Sequence, residues 1–299
     1  MRPMTRMTAL AAAWAMVCAG LIGGAVTSAT ATTGAGTGRT AVTARPPVSG
    51  VVAAAGVRQF IDCRGPLRAG QPAGPTVVLV SGLGAGSAYW GKVRAALLPT
   101  TRVCVYDRPG LGRSPARPAA RVVDAGIHAA ELAGLLTAAH ETGPLVIVGH
   151  SYGGLLVRAF AIRYPWRVAA VMMLDASYAD QWRDGSRYWP EPRARIDMLR
   201  TQQIVWGLPR LGHKPLIVMT AGIGSSSHWL NRQRAMATMS ANVEHVIIPR
   251  SSHVIQQYDP AAVVYGVALL VQSVRNRTAL PRCSALATHW VAVGARCMR

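Results

Sequence analysis

Acidic side chains are scarce in this chain: 12 aspartates and glutamates stand against 32 lysines and arginines, a formal charge of +20. Lysine is nearly absent as well, so almost all of that positive charge is arginine, with only Lys92 and Lys214 as exceptions. Such an imbalance favours anionic surroundings. The arginines are scattered, however, and no basic stretch is interleaved with aromatics, which argues against a nucleic-acid binder. No cysteine lies near another in zinc-ligand spacing with histidine, which argues against a structural zinc site. No internal repeat is visible.

The amino terminus carries Arg2 and Arg6 without an acid, residues 9–26 are nearly all apolar or small, and Ala29-Thr30-Ala31 offers a small-x-small cleavage site. Residues 1–31 therefore read as an export signal. The same apolar stretch, retained, would serve as a membrane anchor, but its many alanines and glycines make a weak span. Cys18 follows the bulky Val17, which suits an ordinary apolar signal residue better than a lipoprotein site. Removing the signal leaves 30 basic residues against 12 acidic, or +18. Residues 32–50, rich in Thr, Ala, Gly and Pro, read as a flexible linker. The remaining 51–299, about 250 residues, suffice for one well-buried α/β domain. The expected setting is secreted or envelope-associated, beside anionic polymers or lipids, and nothing in the sequence sets an oligomeric state.

Four cysteines survive such processing: Cys63, Cys104, Cys283 and Cys297. An even number in an exported chain suggests two disulfides, with three connectivities open. Cys283 and Cys297 lie close together in a carboxyl-terminal tail that is otherwise hard to fix, and Cys63 and Cys104 fall in expected strands, so they are paired in that way.

The stretch around which the rest is organised is Gly149-His150-Ser151-Tyr152-Gly153, followed by Gly154. An apolar run over residues 145–148 enters it and a helix-like run leaves it, so a serine sits between glycines at a strand-to-helix turn. This is the context of a G-x-S-x-G nucleophile elbow. The turn pushes the hydroxyl out of the sheet, and backbone N–H groups at the helix start, Tyr152 first, face any negative charge that develops on a bound carbonyl oxygen.

Upstream, a strand over residues 76–80 runs into Ser81-Gly82-Leu83-Gly84-Ala85-Gly86. Two readings compete there. With Asp107 ending the next strand, the glycine-rich turn imitates a dinucleotide-binding unit. Ser87 replaces the last fingerprint glycine, though, and the elbow would have no task. In the hydrolytic reading the loop supplies a second oxyanion donor, the N–H of Leu83. Asp107 is read as an ion-pair partner of Arg108, and His128 and His140, on a helix expected over 121–140, as surface histidines.

A triad needs a base and an acid. His253 follows the last expected strand, 243–248, where an imidazole can swing back to the elbow. The acid is harder: after the 216–220 strand no carboxylate appears until Glu244, inside the last strand. Asp175 ends the 168–174 strand and points into the crevice where parallel sheets bind ligands. Asp175 is the first choice, with Glu244 the alternative. Between them, about 176–214, aromatics alternate with arginines in what reads as a cap insertion, where Asp180 and Asp184 would pair with arginines.

The elbow, the Ser81-Gly82-Leu83-Gly84 loop, the stretch Tyr106-Asp107-Arg108-Pro109-Gly110 and Ser252-His253 together resemble the α/β-hydrolase fold superfamily, especially its exported bacterial members. The resemblance implies a mostly parallel eight-stranded sheet with helices on both faces, a cap after the sixth strand, and no cofactor. It implies Ser151 as nucleophile, His253 as base and a small ester or acyl substrate. Other chemistries of the superfamily, peptidase, carbon–carbon hydrolase or inactive binding protein, stay open on fold alone. Ser81 stands where a histidine often precedes the oxyanion glycine, and the strand after the cap lacks its acid.

Overall fold

A computed structural model describes residues 46–66, 74–207 and 210–298. The expected signal lies outside the described residues, as does most of the expected linker. No helix of the described residues is long and apolar enough to cross a membrane.

Short runs of β-branched residues build the sheet. The chain gives β1 (Val48–Ala54), β2 (Val57–Arg64), β3 (Thr76–Val80), helix α1 (Gly91–Leu97), β4 (Val103–Tyr106), β5 (Arg121–Val123), α2 (Ala125–Ala138), β6 (Leu145–His150), α3 (Tyr152–Arg163) and β7 (Val168–Leu174). Then come β8 (Tyr188–Glu191), β9 (Ala194–Asp197), α4 (Met198–Val205), β10 (Leu216–Ala221), α5 (Ser227–Ala237), β11 (Val243–Ile248), α6 (Ile255–Tyr258), α7 (Pro260–Asn276), α8 (Ala287–Ala292) and β12 (Arg296–Cys297). β1 takes in Val48 to Gly50, which composition assigns to linker; it pairs antiparallel with β2 along its whole length, with Val48 opposite Cys63.

The main sheet runs β1-β2-β4-β3-β6-β7-β10-β11-β12. It has nine strands rather than eight. The additional one is the two-residue β12, which joins β11 antiparallel through Val246 and Cys297. From β4 to β11 all pairings are parallel. Those strands are continuous apolar runs, as strands covered on both faces must be. Alternate residues feed opposite cores: Val78 and Val80 pack with α2 and α3, while Val77 and Leu79 pack with α1, α7 and Trp290 of α8.

Cys63 and Cys104 face each other across β2 and β4 and are joined, and Cys283 is joined to Cys297. Between β7 and β10 the segment expected to form a cap contributes β8 and β9, which form a separate sheet with β5 in the order β5-β9-β8. The helix expected over 121–140 therefore begins later. Arg121-Val122-Val123 pairs with β9, and Asp124 caps α2 by accepting from the Ile127 N–H at 2.8 Å.

Parallel strands deliver their following loops to one edge. There the chain switches sides of β3 between β4 and β6, the place where open α/β sheets form ligand crevices. The loops after β3, β6, β7 and β11 carry Leu83, Ser151, Asp175 and His253.

Candidate active site

Ser151 stands alone between β6 and α3 with φ 52° and ψ −124°, a conformation that an L side chain adopts only under strain. Two sets of contacts impose it. The Ser151 N–H donates to the Leu174 carbonyl at 3.2 Å, and its carbonyl accepts from Gly154 at 2.8 Å and Ser177 at 3.0 Å, so its backbone is tied to both sides of Asp175. The flanking glycines allow the close approach: a Cβ on Gly153 would lie 2.5 Å from the Val80 carbonyl oxygen. Gly153→Ala is accordingly expected to cost about 1–3 kcal/mol through overpacking against backbone that cannot yield. For a domain of this size that is roughly 2–4 °C of Tm per kcal/mol, readable by thermal unfolding. An unchanged Tm would mean that the elbow has room for a methyl group.

His253 Nδ1 lies 2.6 Å from Asp175 Oδ2. The other oxygen of Asp175 accepts from the Ala221 N–H at 3.1 Å and the Trp229 indole N–H at 2.8 Å. Asp175 is buried, while the His253 side chain is 46% exposed. A buried carboxylate with three donors is held in one orientation, and its Oδ2 fixes the proton of His253 on Nδ1 and leaves Nε2 as the acceptor. The loop after β10 thus carries no acid but provides donors for the acid of the neighbouring strand.

His150 joins the elbow to the His253 loop. Its Nε2–H donates to the His253 carbonyl at 2.8 Å, and the two rings lie 4.8 Å apart. Burial and the neighbouring His253 push His150 down to about 4, so it stays neutral where an ordinary imidazole would begin to charge. The loop after β3 closes the other side: a Cβ on Gly82 would lie 3.1 Å from both Ser151 Cβ and His150 Nδ1. Tyr152 begins α3, and its N–H has no intrahelical acceptor.

Glu244 stands elsewhere. It is the second residue of β11, and the four residues to the strand's end span about 13 Å. It is buried and one of its carboxyl oxygens has no partner. Burial pushes it up to about 7, against a hydrogen bond from the Cys283 backbone that acts the other way. With its folded value above its ordinary one, its contribution to stability is complete below about pH 4.5 and is lost as the pH rises through 7. Denaturant unfolding at pH 5 and pH 8 is expected to differ by about 1–2 kcal/mol from this group, after solvent screening, in favour of pH 5. Glu244→Gln removes that difference; a pH dependence equal to wild type would count against it. A groove of about 1020 Å³ lined by Glu244, Lys214 and Arg277 lies here and includes none of Ser151, Asp175 and His253.

The dinucleotide alternative loses its acid. Asp107 is buried and its carboxylate accepts from the Ser87 and Arg113 N–H groups, stitching two loops together, so it is not open to a ribose.

The family model of the alpha/beta hydrolase fold matches residues 75–194. Among solved structures, a thermophilic esterase from Thermogutta terrifontis is 21% identical with a TM-score of 0.58, covering 77% of this chain and 99% of that one. The chain has the α/β-hydrolase fold. Among curated relatives of this α/β-hydrolase-fold chain, the uncharacterized protein YqjL of Bacillus subtilis is 26% identical over 205 residues, 62% of this chain and 79% of its own. A putative carbamate hydrolase, RutD of Variovorax paradoxus, is 38% identical over 107 residues, 34% of this chain. The match spans only 38% of that relative's length.

Several residues that sequence reading missed surround the α/β-hydrolase site. Arg108 pairs not with Asp107 but with Glu191 of the cap, at 2.5 Å. His128 is not a surface residue: it is 1% exposed and lies 2.9 Å from the Tyr152 hydroxyl. Asp180 pairs with Arg232 of α5, outside the cap, and Asp184 accepts from the Tyr178 hydroxyl rather than from an arginine. Trp229 had no signal beyond lying on the helix that follows the acid-free loop.

Proposed function

We propose that this chain is a serine hydrolase that cleaves a carboxylic ester or a related acyl bond through an acyl-enzyme. The observation that carries the reading is the strained Ser151, backbone-bonded to both sides of the carboxylate that holds His253. Ser151 Oγ attacks the carbonyl carbon while its proton passes to His253 Nε2. The oxyanion is held by the N–H groups of Leu83 and Tyr152, and Asp175 stabilises the imidazolium. Collapse breaks the bond to the alcohol, which leaves with the proton from His253. Water then repeats the sequence on the acyl-enzyme and frees the acid and Ser151. No residue of this scheme calls for a metal or cofactor. A binding module without activity would have no use for the strain at Ser151.

The two disulfides support an oxidising compartment and, with residues 1–31, an exported protein. Exposed cap arginines, among them Arg183 and Arg195, support an anionic neighbourhood.

The test is covalent. A fluorophosphonate is expected to add one phosphonyl group to wild type, mapped to Ser151 by peptide mass spectrometry, and none to Ser151→Ala. Modification of a different serine, or of none, would remove the hydrolase reading. p-Nitrophenyl esters of graded chain length then set the acyl preference.

A further inference from the structure

Arg108, just beyond the end of β4, is 2% exposed, yet its guanidinium makes four hydrogen bonds. Nη1 donates to the Ser81 carbonyl at 2.7 Å and Nη2 to the Gly82 carbonyl at 2.7 Å. Nε and Nη2 donate to Glu191 Oε1 at 3.0 and 2.5 Å. The guanidinium carbon lies 5.3 Å from the Tyr152 ring centre, and His128 Nε2 lies 3.9 Å from the other Glu191 oxygen. An ion pair this deep is a poor way to gain stability, because desolvation offsets most of its attraction. Its placement calls for another account.

The Gly82 carbonyl belongs to the same peptide unit as the Leu83 N–H. A charged donor on that carbonyl draws electron density from the amide and strengthens its N–H as a donor. Gripping two successive carbonyls also fixes the plane of that unit. The geometry points to Arg108 as a positioning residue for the oxyanion donor: it orients and polarises the Leu83 amide from behind, and Glu191 ties that support to the cap. Cap docking and oxyanion stabilisation are thereby coupled through one guanidinium. This rests on the reading of Leu83 N–H as an oxyanion donor.

The test compares Arg108→Gln/Glu191→Gln, which removes the pair without stranding a buried charge, with Arg108→Lys, which keeps the cation but reaches fewer acceptors. The double variant is expected to lose about 10- to 100-fold in kcat, the scale of one charged hydrogen bond, with KM within about twofold. Fluorophosphonate addition slows in parallel, since its adduct also carries a tetrahedral oxygen in the hole. Arg108→Lys recovers part of the loss. In ¹⁵N-labelled resting protein the Leu83 amide nitrogen moves upfield in the double variant and less in Arg108→Lys.

A rise in KM with kcat intact would overturn the proposal, because it would place Arg108 in cleft shape alone. An unmoved Leu83 resonance in a folded double variant overturns it as well. Should the double variant not fold, Arg108→Lys decides: wild-type kcat and an unmoved Leu83 nitrogen overturn the proposal, and a partial loss with a shift supports it. Wild type inert to fluorophosphonate would remove the hydrolase reading instead, while the resonance still reports whether Arg108 polarises the Leu83 amide.

Discussion

Ser151→Ala and His253→Ala are each expected to lower kcat by about a millionfold, and the double variant no further. In the proposed mechanism the two side chains act on one proton, so removing either leaves the other without a task. What survives in every variant is the contribution of binding and the oxyanion donors, on the order of 10³–10⁴ over water. The rival base is His150, adjacent to the serine. Its Nε2–H is committed to the His253 carbonyl and burial holds it near 4, far too weak a base for neutral pH. It also lacks a carboxylate partner, whereas His253 has Asp175 at 2.6 Å. Rates on one activated ester, with circular dichroism to confirm folding, decide the matter. His253→Ala within tenfold of wild type, or a double variant clearly slower than either single one, would transfer the base role elsewhere.

What the sequence made legible and what it hid follow from the range of the interactions. The parallel strands are local facts: runs such as Thr76–Val80 and Val168–Leu174 are apolar on both faces, and their bounds could be read from residue type alone. So could the elbow, whose glycines and serine are consecutive. Partners across the fold were harder. Asp107 and Arg108 are adjacent, which suggested that they pair, but successive side chains leaving a strand diverge. Asp107 turns to the loops at Ser87 and Arg113, and Arg108 turns to Ser81, Gly82 and a cap residue 83 positions away. His128 did carry a signal. It lies four and seven residues before Leu132 and Leu135, on the buried stripe of α2, and its burial could have been read from that period. The ninth strand left no such trace, since two residues, one of them joined to Cys283, have no periodicity to read.

Asp175→Asn is expected to leave the fold nearly intact and to lower kcat by up to about four orders of magnitude. The amide can still accept from Ala221 and Trp229, so the local packing has what it needs. At His253 the difference is severe. An amide NH₂ placed at Oδ2 presents a donor to Nδ1, which turns that nitrogen into the acceptor and moves the proton to Nε2, where the base must be free. Even with the amide flipped, no negative charge remains to stabilise the imidazolium. Glu244→Gln makes the contrast sharp: Glu244 lies about 13 Å of strand before the end of β11, and its loss is expected to change the pH dependence of stability and leave kcat within about twofold. Measuring kcat for both variants on one ester separates the possibilities. If Glu244→Gln proved the slower enzyme, Asp175 would be a structural acceptor only. If both were nearly silent, the imidazole would need no carboxylate, and the three donors gathered on Asp175 would serve the packing of β7 against β10 rather than the chemistry at Ser151.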